Sequence, residues 1–216
     1  MLKINCILFI VHKGKYCFQK EWMKLTCKNF NIDEPIFIDK TLNMTTLTML
    51  RNAGYTDILD VNIKDIQYED NLEWINVFMQ IDDYLTNVEL KSQNVLVLSS
   101  HVYLYRDFPQ RINELLSSPI EYDLVNLCTD NIFGPYLWSG NRGLRIFKSI
   151  KTTEMNKNEN RYAWLTNCNG IKLILKYWKM DIELLHEYHL FYTIQNHYNK
   201  MRIYSIPKYL ICYPKS

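Results

Sequence analysis

The sequence predicts a single α/β domain, spanning residues 1–216, built on a largely parallel β-sheet. Short apolar runs of strand length alternate with segments whose apolar residues recur at helical spacing, which is typical of a parallel sheet covered by helices. With 216 residues, of which 48% are hydrophobic and 22% charged, the chain is long enough to bury one full core. Its six glycines and two alanines exclude collagen-like repeats and Ala-rich bundles, and argue against a glycine-lined phosphate loop.

The first half of the chain contains three predicted strands and three predicted helices. Ile4–Val11 is an apolar run that ends just before the turn residue Gly14, as a buried strand does. The second predicted helix ends at Gly54, a residue typical of helix C-caps. In order, the predicted elements are a strand over Ile4–Val11, a helix over Lys15–Asn29, a strand over Pro35–Asp39, a helix over Thr45–Gly54, a strand over Tyr55–Val61 and a helix over Asn71–Leu85.

The second half continues the alternation but is interrupted by a region of weak pattern. The run Asn94–Leu98 is continuously apolar after its first residue, which is typical of a strand covered on both faces. Residues 129–160 hold several glycines and prolines and a polar stretch, which predicts an irregular, exposed loop region. The other predicted elements are a helix over Pro109–Leu116, a strand over Tyr122–Leu127, an ordered segment over Arg161–Leu165, helices over Asn169–Trp178 and Asp181–Tyr198, and a final β-like run over Arg202–Cys212.

Charge, cysteine content and hydropathy limit the partners and the compartment. The formal net charge is +2 and no basic run exceeds two residues, which predicts no nucleic-acid partner. The six cysteines form no CxxC pair, so they predict free thiols of a cytoplasmic protein, although an even number leaves disulfides open. The apolar run near the N-terminus is too short for a signal peptide or a membrane span. The abundance of residues with A+T-rich codons indicates the genome of a virus or a low-GC microbe.

Polar side chains follow four of the predicted strands. His12 and Lys13 follow the first strand, Asp39 ends the second, the triplet Ser99–His101 follows the central strand and Asp130 follows the next. Ligands of open α/β sheets bind beyond the carboxyl ends of the strands. We therefore expect these four positions to converge on one edge of the sheet.

Several segments together resemble a known family. Val95–Phe108 (VLVLSSHVYLYRDF) matches the frame φφEDDφxφxxDF, in which φ is apolar, and is followed by a helix over Pro109–Ser117 and a strand over Glu121–Leu127. Tyr162–Ile174 and Arg202–Leu210 are similar to two later motifs. In this order the segments resemble the nucleotide-sugar-dependent glycosyltransferases of the GT-A fold, in particular the lipopolysaccharide-biosynthesis and collagen-galactosyltransferase type. The resemblance implies a GT-A-like, Rossmann-related sheet that binds a nucleotide sugar, a UDP-sugar above all.

The metal-binding triplet of that family is degenerate here. Its acids hold Mn²⁺ or Mg²⁺ against the donor pyrophosphate, and the metal offsets charge on the leaving nucleotide. In this chain they fall on Ser99, Ser100 and His101, and serine hydroxyls are poor ligands for hard cations. His101 remains a candidate metal ligand, in the manner of a "DxH" motif, and His189 is a candidate for a late ligand.

Further candidates complete the predicted site. The resemblance implies that His12, Lys13, Asp39 and Ser99 contact the donor nucleotide, with Asp39 at the ribose; a turn carboxylate is the alternative for Asp39. An inverting transferase needs a base near the acceptor hydroxyl. The candidates for that base are Asp130 and Asp181.

Aromatic and basic residues of the irregular region are weaker candidates. Tyr136 and Trp138 are candidates for stacking on a sugar, although core packing is the alternative in a chain with 14% aromatic residues. Arg142 or Arg145 is a candidate for neutralising a diphosphate.

Three functions stay open on the sequence. The first is a glycosyltransferase acting on a glycan or protein acceptor, and the second is an inactive relative kept as a binding or scaffold module, which the missing acids favour. The third is an unrelated nucleotide-binding α/β protein, which the absence of GxGxxG and Walker motifs disfavours.

Overall fold

The computed structural model describes residues 4–11, 20–52, 66–87, 94–100, 102–129, 135–140, 144–148, 163–180, 201–207 and 211–212. Within these ranges the helices are α1 (Lys20–Asn29), α2 (Met44–Asn52), α3 (Ile66–Asn87), α4 (Phe108–Leu116) and α5 (Cys168–Met180). The strands are β1 (Ile4–Val11), β2 (Ile36–Asp39), β3 (Asn94–Ser99), β4 (Tyr103–Leu104), β5 (Leu124–Thr129), β6 (Tyr136–Ser139), β7 (Arg145–Lys148), β8 (Ala163–Asn167), β9 (Ile203–Pro207) and β10 (Ile211–Cys212). The predicted strand Tyr55–Val61 and the predicted helix Asp181–Tyr198 lie outside the described residues.

One eight-stranded sheet organises the described chain. Its strand order is β2-β1-β3-β8-β5-β9-β7-β6, and β4 and β10 form a separate antiparallel pair. Strand β1 is parallel to β2 and β3, and β5 is parallel to β9. Strand β8 runs in the opposite direction between β3 and β5, and β7 does so between β9 and β6. Six of the eight strands thus point the same way, which confirms the predicted α/β fold with a mostly parallel sheet.

Both faces of the sheet are covered, which explains the continuous apolar sequence of the central strands. In β1 the side chains of Leu8 and Ile10 pack into a core with α3 and α5, whereas Phe9 and Val11 pack into a second core with α1 and α4. Neighbouring residues of a strand point to opposite faces, so a strand covered twice has few polar positions.

An aromatic cluster ties α3 to the reversed strand β8. Trp164 of β8 is fully buried, and its ring centre lies 5.0 Å from that of Trp74 and 5.4 Å from that of Phe78, both in α3. Aromatic pairs at this separation stabilise a core by about 0.5–1.5 kcal/mol beyond the area they bury. The cluster fixes α3 across the middle of the sheet.

Residues 129–160 contain a β-hairpin that the sequence analysis did not predict. Strands β6 and β7 pair antiparallel at the edge of the sheet, with Tyr136 opposite Phe147 and Trp138 opposite Ile146. Tyr136 is exposed, as are the next residue and Ser139, so β6 lacks the buried alternation from which a strand is recognised.

None of the helices within the described ranges combines the length and the hydrophobicity that a membrane crossing requires.

Candidate functional site

The carboxyl ends of β1, β2 and β3 lie side by side. Asp39, the last residue of β2, is in register with Val11, and Ser99, the last residue of β3, is in register with Ile10. The Lys40 amide donates to the carbonyl of Val11 (3.1 Å) and the Ser100 amide donates to that of Ile10 (2.8 Å). Because pairing continues to these residues, Asp39 and Ser99 flank the end of β1 on its two sides, about 10 Å apart at two strand spacings.

Asp39 is held in place by bonds to its side chain and to its carbonyl. Its Oδ1 accepts a hydrogen bond from the Thr41 amide (2.9 Å), which is the bond of an Asx turn. Its main-chain oxygen accepts from Gln80 Nε2 (2.9 Å) and from Asn76 Nδ2 (3.4 Å) of α3. Within the described part of the chain, no residue donates to the second carboxylate oxygen. Asp39 is therefore a turn carboxylate through its Oδ1, as the predicted alternative states. Its Oδ2 is an acceptor held on a fixed turn, so the turn is compatible with a ligand at that oxygen.

Lys40 anchors the turn that follows β2. Its Nζ lies 2.7 Å from the Glu73 carboxylate of α3 and 4.9 Å from the ring centre of Trp74. Both charged side chains are largely buried, with 12% and 20% exposure. A pair that is shielded in this way is screened less by salt than an exposed pair. Lys40 therefore binds α3 through its side chain, and this contact holds the backbone next to Asp39 in place.

The end of β3 carries a buried hydroxyl whose hydrogen bonding is incomplete. Ser100 is 3% exposed, and its Oγ has no hydrogen-bond partner among the residues that the structure describes. The chain turns here, since the Val102 amide donates to the Ser99 carbonyl (3.1 Å). A buried hydroxyl without a partner costs about 1–3 kcal/mol and is rare in proteins. The hydroxyl of Ser100 would therefore be stabilised by a hydrogen bond to a polar group other than the described residues.

The structure describes two of the predicted site residues, Asp39 and Ser99, and places them on the same edge as expected. The other predicted site residues, His12, Lys13, His101, Asp130, Asp181 and His189, lie outside the described residues. No cluster of three or more His, Cys, Asp or Glu side chains occurs in the described part of the chain. The described residues at this end of the sheet supply one carboxylate and two serine hydroxyls, and hard cations prefer carboxylate oxygens, so these residues alone do not form a metal site.

Three predicted candidates of the hairpin, Tyr136, Trp138 and Arg145, lie far from the carboxyl ends of β1, β2 and β3, and Arg142 lies outside the described residues. Strand β6 is separated from β3 by five strand spacings, about 24 Å, and β7 by about 19 Å. Tyr136 packs edge-on against Phe147, with ring centres 5.7 Å apart, and Trp138 packs against the core. Arg145 is exposed on β7. The structure therefore does not bring Tyr136, Trp138 or Arg145 together with Asp39 and Ser99.

A buried charge network at the opposite edge was missed by the sequence analysis. Asp123, just before β5, is 2% exposed and accepts hydrogen bonds from the Arg202 amide (2.8 Å), Arg202 Nε (3.2 Å) and Asn169 Nδ2 (2.9 Å). Arg202 Nη2 lies 3.1 Å from Asp123 Oδ1, and Nη1 contacts the exposed Glu121. Burial disfavours the charge, but the hydrogen bonds from Arg202 and Asn169 outweigh it and lower the pKa of Asp123.

This network joins elements that are distant in sequence, at the amino ends of β5 and β9. Ligands of α/β sheets bind at the other edge, so the position indicates a structural role. A signal was present in the sequence, since Asp123 stands near the start of a mostly apolar run and Arg202 begins the last predicted β-like run. Their pairing followed only from the parallel alignment of β5 with β9.

Comparisons with known proteins do not assign a family. No family model matches the chain, and no curated protein does. Among solved structures, the chain is similar to the inositol-1-phosphate CTP transferase from T. maritima, with 8% identity and a TM-score of 0.39 over 96% of this chain and 68% of that one. A likeness of this degree bears on neither the ligand nor the reaction.

Proposed function

We propose that the chain is a GT-A-like transferase domain that binds a nucleotide sugar, with a UDP-sugar favoured, at the carboxyl edge of β1, β2 and β3. The observation that carries the proposal is the convergence of Asp39 and Ser99 on the two sides of the end of β1. The edge is also the one at which parallel α/β sheets bind their ligands.

Asp39 is assigned to the ribose of the donor. In nucleotide-binding β-α-β units an acid at the end of the second strand accepts hydrogen bonds from ribose hydroxyls. Asp39 ends the second strand of such a unit, formed by β1, α1 and β2. Its Oδ1 is occupied by the Thr41 amide, so the ribose hydroxyls are directed to Oδ2.

Ser99 and Ser100 are assigned to the diphosphate. A hydroxyl donates well to an anionic phosphate oxygen, and such charge-assisted bonds are stronger than neutral ones. The hydroxyl of Ser100 is buried and lacks a described partner, so a phosphate oxygen would satisfy it. Since glycine-rich loops are absent, side chains of this kind take over the role that backbone amides have in phosphate loops.

Calorimetry tests this binding directly. We expect UDP and UDP-glucose to bind the wild-type chain, with GDP-mannose as the comparison donor and each ligand measured with and without Mn²⁺. Asp39→Asn and Ser100→Ala should each weaken binding roughly 10- to 100-fold, the value of a hydrogen bond to a charged group. Asp83→Asn is the matched control, because Asp83 is an exposed acid of α3 outside the site. Absence of binding by a folded protein, or unchanged binding by Asp39→Asn, would refute the proposal.

A binding module without transferase activity is the second candidate. It is favoured by the serines at positions 99 and 100, where the family that the sequence resembles has acids. Sugar transfer or donor hydrolysis, followed by chromatography of the released nucleotide, separates the two functions. In an active enzyme, Asp130→Asn or Asp181→Asn should abolish transfer while donor affinity stays within about threefold. His101→Ala or His189→Ala should remove any dependence on Mn²⁺.

A further inference from the structure

A groove lies beside β2, the outermost strand on one side of the sheet, and its lining does not include Asp39, Ser99 or Ser100. It is an open groove with a volume of about 800 Å³, between α1 and the chain leading into β2. Cavities of about 300–1,000 Å³ are typical of ligand sites in proteins. Its size is therefore sufficient for several residues of a bound chain.

One wall of the groove is a row of cations. Lys20, Lys24 and Lys28 are four residues apart on α1, so they share one face of the helix, and all three are exposed. The rise of 1.5 Å per residue separates neighbouring lysines by about 6 Å and the outer two by about 12 Å. The row is thus a regular array of positive charges along the groove.

The row is weakly engaged within the described chain. Lys24 Nζ lies 3.4 Å from Glu21 Oε1, a pair whose side chains are 52% and 88% exposed. Exposed pairs of this kind stabilise a protein by about 0–1 kcal/mol, so the pair yields readily to another partner. Lys20 and Lys28 form no ion pair with any described residue.

The rest of the groove differs in character from the lysine row. Asp33 and Glu34, both exposed, line the end next to the start of β2 and form no ion pair with the lysines or with other described residues. Ile32, Pro35 and Phe37 supply an apolar part of the lining. The carboxylates of Asp33 and Glu34 repel a uniformly negative polymer, and such a polymer has no apolar groups to pack against the apolar part of the lining.

We propose that this groove binds an extended polypeptide segment whose acidic side chains alternate along the α1 lysines and whose basic side chains follow at Asp33 and Glu34. An extended chain places every second side chain on the same side, about 6.6 Å apart, close to the 6 Å spacing of the lysine row. The intervening side chains face the apolar lining. The inference stands on the groove alone and does not depend on the proposed nucleotide site.

Fluorescence anisotropy with a defined peptide tests the inference. The probe is a fluorescein-labelled decapeptide with acidic residues at three alternate positions, valines between them, and two lysines after them. We expect saturable, salt-sensitive binding in the micromolar range, and weaker binding of a peptide of equal composition whose acidic residues are consecutive. The triple variant Lys20→Gln, Lys24→Gln, Lys28→Gln should lose affinity roughly 10-fold or more, because three ion pairs are removed together.

Matched variants distinguish binding in the groove from non-specific attraction to positive charge on the surface. Lys172→Gln with Lys176→Gln removes two exposed lysines four residues apart on α5, and this control should bind the probe as the wild type does. Asp33→Asn with Glu34→Gln should weaken the lysine-containing probe but not a probe in which the two lysines are replaced by glutamine.

Three results would overturn the inference. They are no saturable binding of the probe by the folded chain, equal binding by the triple variant, and tighter binding of a heparin oligosaccharide or a DNA duplex through the same lysines.

Discussion

Replacing Asp123 with asparagine is expected to destabilise the chain by about 2–3 kcal/mol. Removing one partner of a buried ion pair costs about 3–5 kcal/mol, because the remaining charge is left uncompensated. Asp123 is 2% exposed, but the Arg202 side chain is 45% exposed, so water takes over part of the lost interaction. Asparagine also keeps one acceptor oxygen for the Arg202 amide, which brings the expected cost to the lower value.

The matched control is Glu121→Gln, which removes the other carboxylate that binds the same arginine. The Glu121 side chain is 84% exposed, and exposed pairs contribute about 0–1 kcal/mol. Urea unfolding followed by tryptophan fluorescence should therefore show a loss for Asp123→Asn at least twice that for Glu121→Gln. For a chain of this size the larger loss corresponds to a fall in Tm of roughly 4–12 °C.

The stability difference should depend on pH in a defined direction. The pKa of Asp123 is lowered in the folded state, so its carboxylate stabilises the fold fully above its unfolded value of about 3.9. As the pH falls below about 4, this contribution is lost progressively, and asparagine does not titrate. The gap between wild type and Asp123→Asn should accordingly narrow as the pH falls from 7 toward 3. Equal losses for the two variants, or a gap that widens in acid, would refute the assignment of a buried ion pair.

Two further predictions concern a glycine and two cysteines. Gly170→Ala should destabilise the chain by about 1–3 kcal/mol in thermal unfolding despite the higher helix propensity of alanine, because its Cβ would overlap the carbonyl of Asp123. Gly140→Ala meets only the flexible end of a glutamate side chain and should cost less; the reverse order would contradict this reading. Burial raises the pKa of Cys6 to about 12 and that of Cys27 to about 11, so neither should react with iodoacetamide at pH 8 before unfolding. Mass spectrometry of the labelled native chain checks this, and modification of Cys27 in the folded state would contradict it.

Regular elements with strong burial were predictable from the sequence. The run Ile4–Val11 and the run from Asn94 are almost entirely apolar, and both are strands with nearly the predicted limits. The hairpin of β6 and β7 was not predictable in this way. Both strands are short, and β6 is mostly exposed, so β6 shows no alternation of buried and exposed residues. The hairpin joins the sheet through the pairing of β7 with β9, which lies more than fifty residues later in the chain.

The two edges of the sheet differ in what the sequence reveals about them. Asp39 and Ser99 were predictable as neighbours, because each ends an apolar strand and the ends of parallel strands meet. Asp123 and Arg202 form a buried ion pair, but the sequence analysis missed it, because their contact requires the register of β5 against β9. The directions of the strands are enough to predict that polar residues at their carboxyl ends lie on one side of the sheet. A side-chain pair between strands that are distant in sequence can be predicted only when the strand order is known.

The same separation implies that the stabilising ion pair and the proposed ligand site lie at opposite ends of the strands. In β3, about 16 Å separates Asn94, which accepts a hydrogen bond from the Tyr122 hydroxyl beside the charge network, from Ser99 at the proposed nucleotide site. Substitutions farther apart than about 7–10 Å with no shared partner act additively. The amino edge, closed by Asp123 and Arg202, can thus hold β5 and β9 together without constraining the turns after β2 and β3. The turn after β2 is held instead by α3, through Gln80 and Lys40, and it is this local anchoring that places Asp39 beside the end of β1.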